Sequence, residues 1–199
     1  MSLKRGEWAI LIFNLIYILG FAIWYIISKN YEFLGYVAVV TLIGVLIMAT
    51  LKKTKFDYLI LWGLSIWGFF HMAGGTIVVN GAVLYKYIFI NLFQIAGDAG
   101  ELITVLRFDH VIHFYGFGVT ALVFYHLLKQ KLRTGPTFVV YLSAMLASMG
   151  AGALNEIVEF LIAINVASGV GGYINNSLDL IFNSLGALAA VIYVKVSGR

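Results

Sequence analysis

Long apolar segments alternate with short polar ones along most of the chain. Crossing the ~30 Å hydrocarbon core of a bilayer takes roughly 20 apolar residues in a helix. Six segments approach or reach that length, and they predict an all-α integral membrane protein built as a bundle of six transmembrane helices. The predicted helices are 7–28, 33–51, 56–79, 109–128, 136–165 and 176–196.

A further apolar stretch, residues 82–106, lies between the third and fourth predicted helices. Its apolar run is interrupted by four polar or charged residues, Lys86, Gln94, Asp98 and Glu101. Such a segment suits the membrane interface or a re-entrant path better than a full crossing. We therefore expect an interfacial or re-entrant segment between helices 3 and 4.

The basic residues test this helix count, because Lys and Arg accumulate in the cytoplasmic loops of membrane proteins. With six helices and the N-terminus inside, most of the 13 basic residues fall on one side, leaving Lys29, Lys86 and Arg107 on the other. If residues 82–106 also spanned, the cluster at 129–133 would change sides and weaken this bias. We therefore expect both termini in the cytoplasm and a multi-pass protein of the cell (inner) membrane.

The composition agrees with lipid as the main solvent. The chain is 62% hydrophobic and 11% charged, with a mean hydropathy of +0.96, which leaves too little polar surface to cover a soluble protein of this size. The net charge of +4 does not indicate a nucleic-acid partner, since the basic residues lie in short clusters between apolar segments. Residues 1–199 show no linker and no internal repeat, and so predict a single polytopic domain with membrane lipids as its partners.

Several ionisable side chains fall inside the predicted spans. Each costs roughly 2.5–3.5 kcal/mol on insertion scales and so requires a physical reason. They occur on four helices, all toward the non-cytoplasmic ends, and residues three or four apart on one helix share a face. The outlier without a same-helix partner is His71; the pairs are Asp109 with His113, Glu156 with Glu159, and Asp179 with Asn183.

This cluster suits a metal-dependent enzyme. In a chain without cysteine, imidazole and carboxylate groups are the ligands for one divalent metal ion, Zn, Mn or Fe. A spare carboxylate can then act as a general base. We expect metal ligands at His71, His113, Glu156, Glu159 and Asp179, and catalytic acids or bases at Glu156, Glu159 and Asp109. The expected substrate-lining residues are Asn155, Asn183, Gly74 and Gly75, for a lipid or lipid-linked envelope substrate.

Two other functions remain open at the level of the sequence. Buried carboxylates and imidazoles also relay protons or bind cations, which would indicate a small ion- or proton-coupled transporter. The cluster could instead hold helices together in a structural subunit of an envelope complex. Individual residues have structural interpretations as well: His71 as a core histidine, and Asp109 as a residue that stabilises the start of a helix.

Four ordered motifs carry a family resemblance. They are Phe70–Gly75, Asp109–Phe114, Asn155–Phe160 and Asp179–Ala187. In this order and spacing they resemble the YjdF-like family of small membrane proteins, and the last motif together with Asp109–Phe114 and Glu156 is also similar to VanZ-like proteins. The resemblance implies functional positions within these motifs and, through the VanZ-like proteins, a connection with the cell envelope.

The chain also departs from the YjdF-like pattern. Family members usually carry two further Asp residues before the last helix, where this chain has Gly172 and Asn175, and an Arg where it has His110. Fewer carboxylates mean less negative charge to hold cations. The departures therefore favour one metal ion at most.

Overall fold

Six α-helices form the protein, as the hydrophobic pattern predicts. The computed structural model describes residues 3–96, 100, 102–133, 135–165 and 172–199. The chain is helical throughout these ranges apart from the connections and two small hairpins described below. The helices are α1 (Arg5–Ile27), α2 (Tyr31–Thr54), α3 (Tyr58–Gly74), α4 (Phe108–Leu132), α5 (Phe138–Ala163) and α6 (Tyr173–Ser197).

Five of the helices, α1, α2, α4, α5 and α6, are long and apolar enough to cross a membrane. Their outer surfaces are apolar, as at Ile16 and Val196, whose exposed fractions are 68% and 83%. The remaining helix, α3, has 17 residues. At 1.5 Å per residue it is ~25 Å long, somewhat less than the ~30 Å hydrocarbon core, and the count of six crossings stays a prediction.

The predicted third helix, 56–79, was wrong at its C-terminal end, whereas its start differs from the observed one by two residues. The helix begins at Tyr58, because the Asp57 side chain accepts a hydrogen bond from the backbone N–H of Ile60 at 3.0 Å and caps the first turn. It ends at Gly74, where two consecutive glycines lower helix propensity. The other predicted spans differ from the observed helices by one to four residues at each end.

A β-hairpin takes the place of the missing end of the third helix. Strand β1 (Val78–Val79) pairs antiparallel with β2 (Ala82–Val83) around an Asn80–Gly81 turn. Both turn residues have positive φ, 52° and 81°, as the tightest two-residue hairpin turn requires. Asn-Gly is a strong hairpin signal, and it outweighs the apolar character of the flanking valines.

The described residues of the segment 82–106 are largely extended. After a short 3-10 turn at Leu84–Lys86, strand β3 (Gln94–Ala96) pairs antiparallel with β4 (Leu102–Thr104). The expected polar residues Asp98 and Glu101 lie outside the described residues. Exposed apolar side chains line the path between the two hairpins, among them Ile90, Leu92 and Phe93, and the interfacial or re-entrant placement of this segment stays a prediction.

Helix α4 is the centre of the bundle and packs against α3, α5 and α6. Its closest approach is to α6, where a Cβ added to Gly186 would collide with the backbone carbonyl of Phe114. A Cβ on Gly118 would in turn lie 3.2 Å from the carbonyl oxygen of Gly186. Small residues allow such close approach of membrane helices, and this crossing sets α6 side chains directly against those of α4.

The basic helix ends gather at one end of the bundle. There the Gln130 side chain donates to the backbone carbonyl of Lys53 at 3.1 Å, and Arg199 forms an ion pair of 3.0 Å with Asp57. His126 also lies at this end, with Nε2 2.7 Å from the carbonyl oxygen of Thr54. The opposite end holds the start of α4 and α6 and the end of α3 and α5, which is where His113 and four acidic residues lie: Asp109, Glu156, Glu159 and Asp179.

Candidate functional site

The start of α4 is fixed by a histidine rather than by an acidic residue. His110 Nδ1 accepts the backbone N–H groups of Leu106 and Arg107 at 3.0 and 3.2 Å, so His110 closes the first turn. The ring of His110 is fully buried and stacks on Phe182 of α6, with centroids 4.6 Å apart. Asp109 is thereby released from the capping role and turns toward the site.

His113 lies at the centre of the site, and its two ring nitrogens face different groups. Nε2 is 3.6 Å from Asp109 Oδ1 and 3.9 Å from Asp179 Oδ1. Nδ1 is 3.0 Å from Asn183 Oδ1 and 3.7 Å from Glu156 Oε1. The ring itself is buried. One imidazole therefore links α4 to both α5 and α6.

Three asparagine side chains hold the carboxylates in place. Each donates its amide N–H to one carboxylate oxygen at 2.8 Å and leaves the second oxygen of that carboxylate available. Two of these contacts join residues one helical turn apart, while the third joins α6 to α5. The pairs are Asn155 with Glu159 Oε1, Asn175 with Asp179 Oδ2, and Asn176 with Glu156 Oε2.

The hydrogen bonding of the cluster is incomplete among the described residues. Glu156 Oε1, Asp179 Oδ1 and Asn183 Nδ2 are buried and have no hydrogen-bond partner. Buried polar atoms are normally paired, so each such atom requires an explanation. The four carboxyl groups of the cluster also outnumber its cationic groups, Arg107 and His113. The excess carboxyl groups must hold protons or share a bound cation.

Two sets of residues have the geometry to hold a metal ion. In one set, ligand atoms of Asp109, His113 and Asp179 lie within 4.8 Å of one another, and in the other so do those of His113, Glu156 and Glu159. Ligands at ~2.1 Å in a tetrahedral zinc site are roughly 3.4 Å apart, which the 3.6 and 3.9 Å separations around Nε2 approach. The donor atoms of the first set therefore fit a divalent ion.

The opposite ring nitrogen of His113 decides between the two sets. Nδ1 already lies 3.0 Å from Asn183 Oδ1, to which it can donate a hydrogen bond. Metal-binding histidines characteristically donate their other ring N–H to an oxygen, which fixes the tautomer. Binding through Nε2, together with Asp109 and Asp179, preserves this bond, whereas binding through Nδ1 would break it. The first set, which we call the metal triad, is therefore the better ligand set.

His71 is not part of either set. Its Nδ1 lies 2.8 Å from the hydroxyl of Tyr85, and its ring stacks on Trp67 with centroids 5.4 Å apart. The predicted lining glycines also face aromatic rings: a Cβ on Gly74 would lie 2.6 Å from the Tyr85 ring, and a Cβ on Gly75 would collide with the ring of Phe33. These three positions therefore pack against aromatic side chains, those of Trp67, Tyr85 and Phe33.

The structure thus brings most of the expected residues together. Asp109, His113, Glu156, Glu159, Asp179 and Asn183 form one cluster, in which Asp109 and Glu159 are half-buried and the others buried, and Asn155 lies at its edge.

Sequence reasoning missed several residues that complete the site: Arg107, which donates to Asn175 and lies 3.8 Å from Asp109 Oδ2, together with Asn176, His110 and Tyr85. Asn175 stands four residues before Asp179, and this spacing indicates that the two side chains share one face of α6.

Comparisons with known proteins agree with the membrane character of the fold. The family model described as "Predicted membrane protein (DUF2238)" matches residues 9–199, and this family is the YjdF family that the motifs resemble. A Thermotoga maritima relative described as "Uncharacterized protein" is 35% identical over an alignment of 103 residues, and the match covers 48% of this chain and 52% of the relative. The matched part therefore spans about half the length of that curated relative. No solved structure matches the chain. The similarity to VanZ-like proteins stays a prediction.

Proposed function

Since the chain belongs to the DUF2238 family of predicted membrane proteins, we propose that it is a metal-dependent membrane hydrolase of a lipid or lipid-linked substrate. One observation carries the proposal. In the metal triad, the carboxylates of Asp109 and Asp179 lie beside His113 Nε2. Asp179 Oδ1 is buried without a hydrogen-bond partner among the described residues. A cation at this position satisfies that oxygen and offsets the excess negative charge of the cluster.

The residues divide into a binding group and a proton-transfer group. Asp109, His113 and Asp179 hold the ion, and Asn183 and Asn175 orient two of these ligands. A bound divalent ion supplies Lewis-acid polarisation of an ester carbonyl and lowers the pKa of water. Glu156 and Glu159 remain outside the triad, and Glu156 keeps one buried oxygen, Oε1, without a partner among the described residues.

Hydrolysis of an ester requires a group that moves a proton between water and the leaving oxygen. The water oxygen bonds to the acyl carbon, and the bond between that carbon and the alcohol oxygen breaks. Glu156 Oε1 takes one proton from the water and delivers it to the departing alcohol, while the other proton stays on the acid product. The bond from Asn176 to Oε2 leaves Oε1 facing the His113 ring, 3.7 Å from Nδ1, on the side of the ring opposite Nε2.

The distribution of polar groups favours surface chemistry over transport. The carboxylates and His113 gather at one end of the bundle. Below Asn155 and His71, the gap between α2 and α5 is lined mainly by apolar side chains, and the side-chain hydroxyl groups in that stretch are those of Thr50, Thr54 and Thr120. A proton- or ion-coupled transporter needs polar groups along a path to the other side. The described residues offer no such path there.

The proposed setting is a multi-pass protein of the cell (inner) membrane with both termini in the cytoplasm and the site near the outer face. The positive-inside rule supports this orientation. The packing of Gln130 and His126 against the end of α2 brings two of the basic clusters to the end of the bundle opposite the site. The substrate then comes from the outer part of the membrane or from the envelope.

Metal content and lipid hydrolysis test the function together. Purified protein is incubated with Zn²⁺, Mn²⁺ or Fe²⁺, desalted and analysed by mass spectrometry for bound metal. We expect about one ion per chain, and loss of that ion in the double variant Asp109→Asn and Asp179→Asn.

Asn183→Ala should weaken metal binding by about 10- to 100-fold, because it removes the oxygen that fixes the His113 ring. Glu156→Gln should keep the metal and lose release of fatty acid from vesicles of lipid esters.

Asp57→Asn is the matched control for the double variant. It neutralises an aspartate at the opposite end of the bundle, and Asn is also a good helix N-cap, so α3 should be retained. The proposal fails if the double variant keeps as much metal as this control. It also fails if the metal-loaded protein hydrolyses none of the lipid esters supplied.

A further inference from the structure

A groove runs lengthwise between α2 and α5, with α3 and α4 as its floor. Its volume is about 460 Å³, within the ~300–1,000 Å³ range of ligand pockets. It extends along α2 from Tyr36 to Thr54, which corresponds to ~27 Å at 1.5 Å per residue. One leaflet of a bilayer core is ~15 Å thick, so the groove is long enough for an extended hydrocarbon chain.

The groove is closed toward the outer end and open at its side. At the outer end α2 and α5 approach closely, since a Cβ on Gly35 would lie 3.2 Å from Ile162 Cδ1. Further down, the helices separate, and the rim residues Leu46 and Leu154 are 55% and 63% exposed. In a membrane this opening faces lipid chains.

The outer end of the groove carries a hydrogen-bond acceptor on His71. The Tyr85 hydroxyl donates to the backbone carbonyl of His71 at 2.7 Å, a carbonyl in the last turn of α3. With its proton used there, the hydroxyl can only accept from His71 Nδ1, 2.8 Å away. Burial raises the pKa of Tyr85 well above its usual value, and the charges of Asp109 and Glu159 add to this, so the hydroxyl stays protonated. His71 therefore carries its proton on Nδ1, and Nε2 is left as an acceptor.

Asn155 presents a second acceptor at the same end. It lines the groove, and its amide N–H donates to Glu159 Oε1 at 2.8 Å, which leaves Oδ1 for another partner. The neighbouring Glu156 and Glu159 carboxyl groups add further acceptors and negative charge. Acceptors of this kind pair with hydroxyl groups, and they disfavour a phosphate through repulsion between like charges.

A larger cavity between α1, α2 and α3 lacks this feature. Its volume is about 530 Å³, and its polar lining residues are Tyr17, Thr41, Glu7, whose carboxylate accepts from the backbone N–H of Lys4, and the pair Asn14 and Ser65. The members of this pair satisfy each other: Asn14 donates to Ser65 Oγ at 2.6 Å and accepts from Tyr17, while Ser65 donates to the carbonyl of Leu61. Apolar walls alone do not select a head group, so the α2–α5 groove is the one with specificity.

We propose that the α2–α5 groove binds one hydrocarbon chain of an uncharged lipid whose head bears a hydroxyl group. The hydroxyl donates to His71 Nε2 or Asn155 Oδ1, beside Glu159. This lipid would be a substrate only if the proposed hydrolase function is correct. The substrate class is then a neutral glycerolipid or a lipid with a sugar head. Binding of the hydrocarbon chain in the groove requires neither a metal ion nor catalytic turnover.

Paired lipids test the assignment directly. The purified protein in detergent micelles is mixed with dioleoylglycerol or with dioleoyl phosphatidic acid, which share their chains and differ in hydroxyl against phosphate. Native mass spectrometry then counts bound lipid. We expect a one-to-one complex with dioleoylglycerol and about tenfold weaker binding of phosphatidic acid. Asn155→Leu should weaken dioleoylglycerol binding about tenfold, as expected for loss of one buried hydrogen bond.

Two neighbouring alanines on α5 give a matched pair of variants. Ala151 lines the groove, whereas Ala153 is exposed and lies outside the groove lining. Ala151→Trp should fill the groove and abolish dioleoylglycerol binding, while Ala153→Trp should retain it. The metal content of Ala151→Trp should equal that of the wild type, which shows that the variant is folded.

Equal binding by both tryptophan variants would place the lipid on the outer surface and overturn the assignment, as would preferential binding of phosphatidic acid. Because this experiment reads lipid rather than metal, its failure is distinguishable from failure of the metal triad. If the protein binds dioleoylglycerol in the groove but holds no metal, the lipid-binding proposal stands and the proposal of a metal-dependent hydrolase fails.

Discussion

At the scale of single residues, three buried imidazoles on α3 and α4 have three different environments. His110 uses Nδ1 to accept two backbone N–H groups, so its proton lies on Nε2. His71 has the opposite arrangement because of Tyr85. His113 has oxygen partners at both nitrogens. Residue type alone therefore does not indicate which histidine has the geometry of a metal ligand, whereas the partner of the second ring nitrogen does.

The tautomer of His71 can be checked with the variant Tyr85→Phe. Loss of the hydroxyl removes the acceptor for Nδ1–H and the donor to the His71 carbonyl, which should destabilise the protein by about 1–3 kcal/mol. In ¹⁵N NMR spectra of histidine-labelled protein, the wild type should show His71 protonated at Nδ1 alone. Tyr85→Phe should show a mixture of both tautomers.

Tyr25→Phe provides the control for this variant. Tyr25 also donates a hydroxyl to a carbonyl at the end of α3, that of Met72 at 2.6 Å, but no hydrogen bond joins it to the His71 ring. The His71 signals should keep their wild-type positions in Tyr25→Phe. A wild-type His71 protonated at Nε2, or the same change in both variants, would contradict the tautomer assignment.

Part of the site was accessible from residue spacing. Asp109 with His113 and Asp179 with Asn183 are one turn apart, and that periodicity correctly placed them on facing sides of α4 and α6. Tyr85 and Asn176 were not accessible in this way. Tyr85 reaches His71 from an extended segment, and Asn176 reaches Glu156 from another helix. Neither contact leaves a periodic signal in the sequence.

At the scale of elements, the crossing of α4 and α6 positions the metal triad. His113 and Asp179 come from the two helices, and the distance between them depends on how closely the backbones approach. Gly186 makes that approach possible, since a side chain there would collide with the Phe114 carbonyl. A backbone atom cannot move aside as a flexible side chain can.

Gly186→Ala should therefore separate α4 from α6. We expect destabilisation of about 1–3 kcal/mol from overpacking, and weaker metal binding because Asp179 moves away from His113. Thermal unfolding and metal content measure the two effects.

Gly20→Ala on α1 is the control, because a Cβ there meets nothing within 4 Å. That variant should be neutral or stabilising by about 0.5–1 kcal/mol, as alanine is the better helix former. Equal loss of metal in both variants would mean that the crossing does not position the triad.

The elements themselves were predictable where one signal dominated. Six helices were recognised from apolar runs of sufficient length, and the observed bounds differ little for five of them. The end of α3 was misjudged because Val78 and Val79 extend the apolar run, although the Asn80–Gly81 turn directs them into a hairpin. Hydrophobicity alone does not distinguish a buried helix end from a short strand.

At the scale of the whole molecule, the bundle has a basic end and an acidic end. Gln130 and His126 tie the end of α4 to the end of α2 at the basic end, while the site occupies the other. The placement of these ends in a membrane depends on whether the short helix α3 crosses it. The length of α3 does not decide whether it crosses, because 17 residues lie at the lower limit of the ~17–25 residues that span a bilayer.

Cysteine labelling decides this question, since the natural chain has no cysteine and each introduced one is unique. Lys53→Cys lies before α3 and Asn91→Cys after it, and both positions are exposed. In intact cells, a membrane-impermeant maleimide should label position 91 but reach position 53 only after permeabilisation. Labelling of both positions from the same side would show that α3 does not cross.

The sideways opening between Leu46 and Leu154 has a kinetic consequence. A lipid that enters there never leaves the bilayer, so it reaches the site by two-dimensional diffusion rather than through water. The concentration that governs occupancy is then the mole fraction of that lipid in the membrane. Diluting the membrane with inert lipid would lower the rate, whereas diluting the vesicles in buffer would leave the turnover of each molecule unchanged.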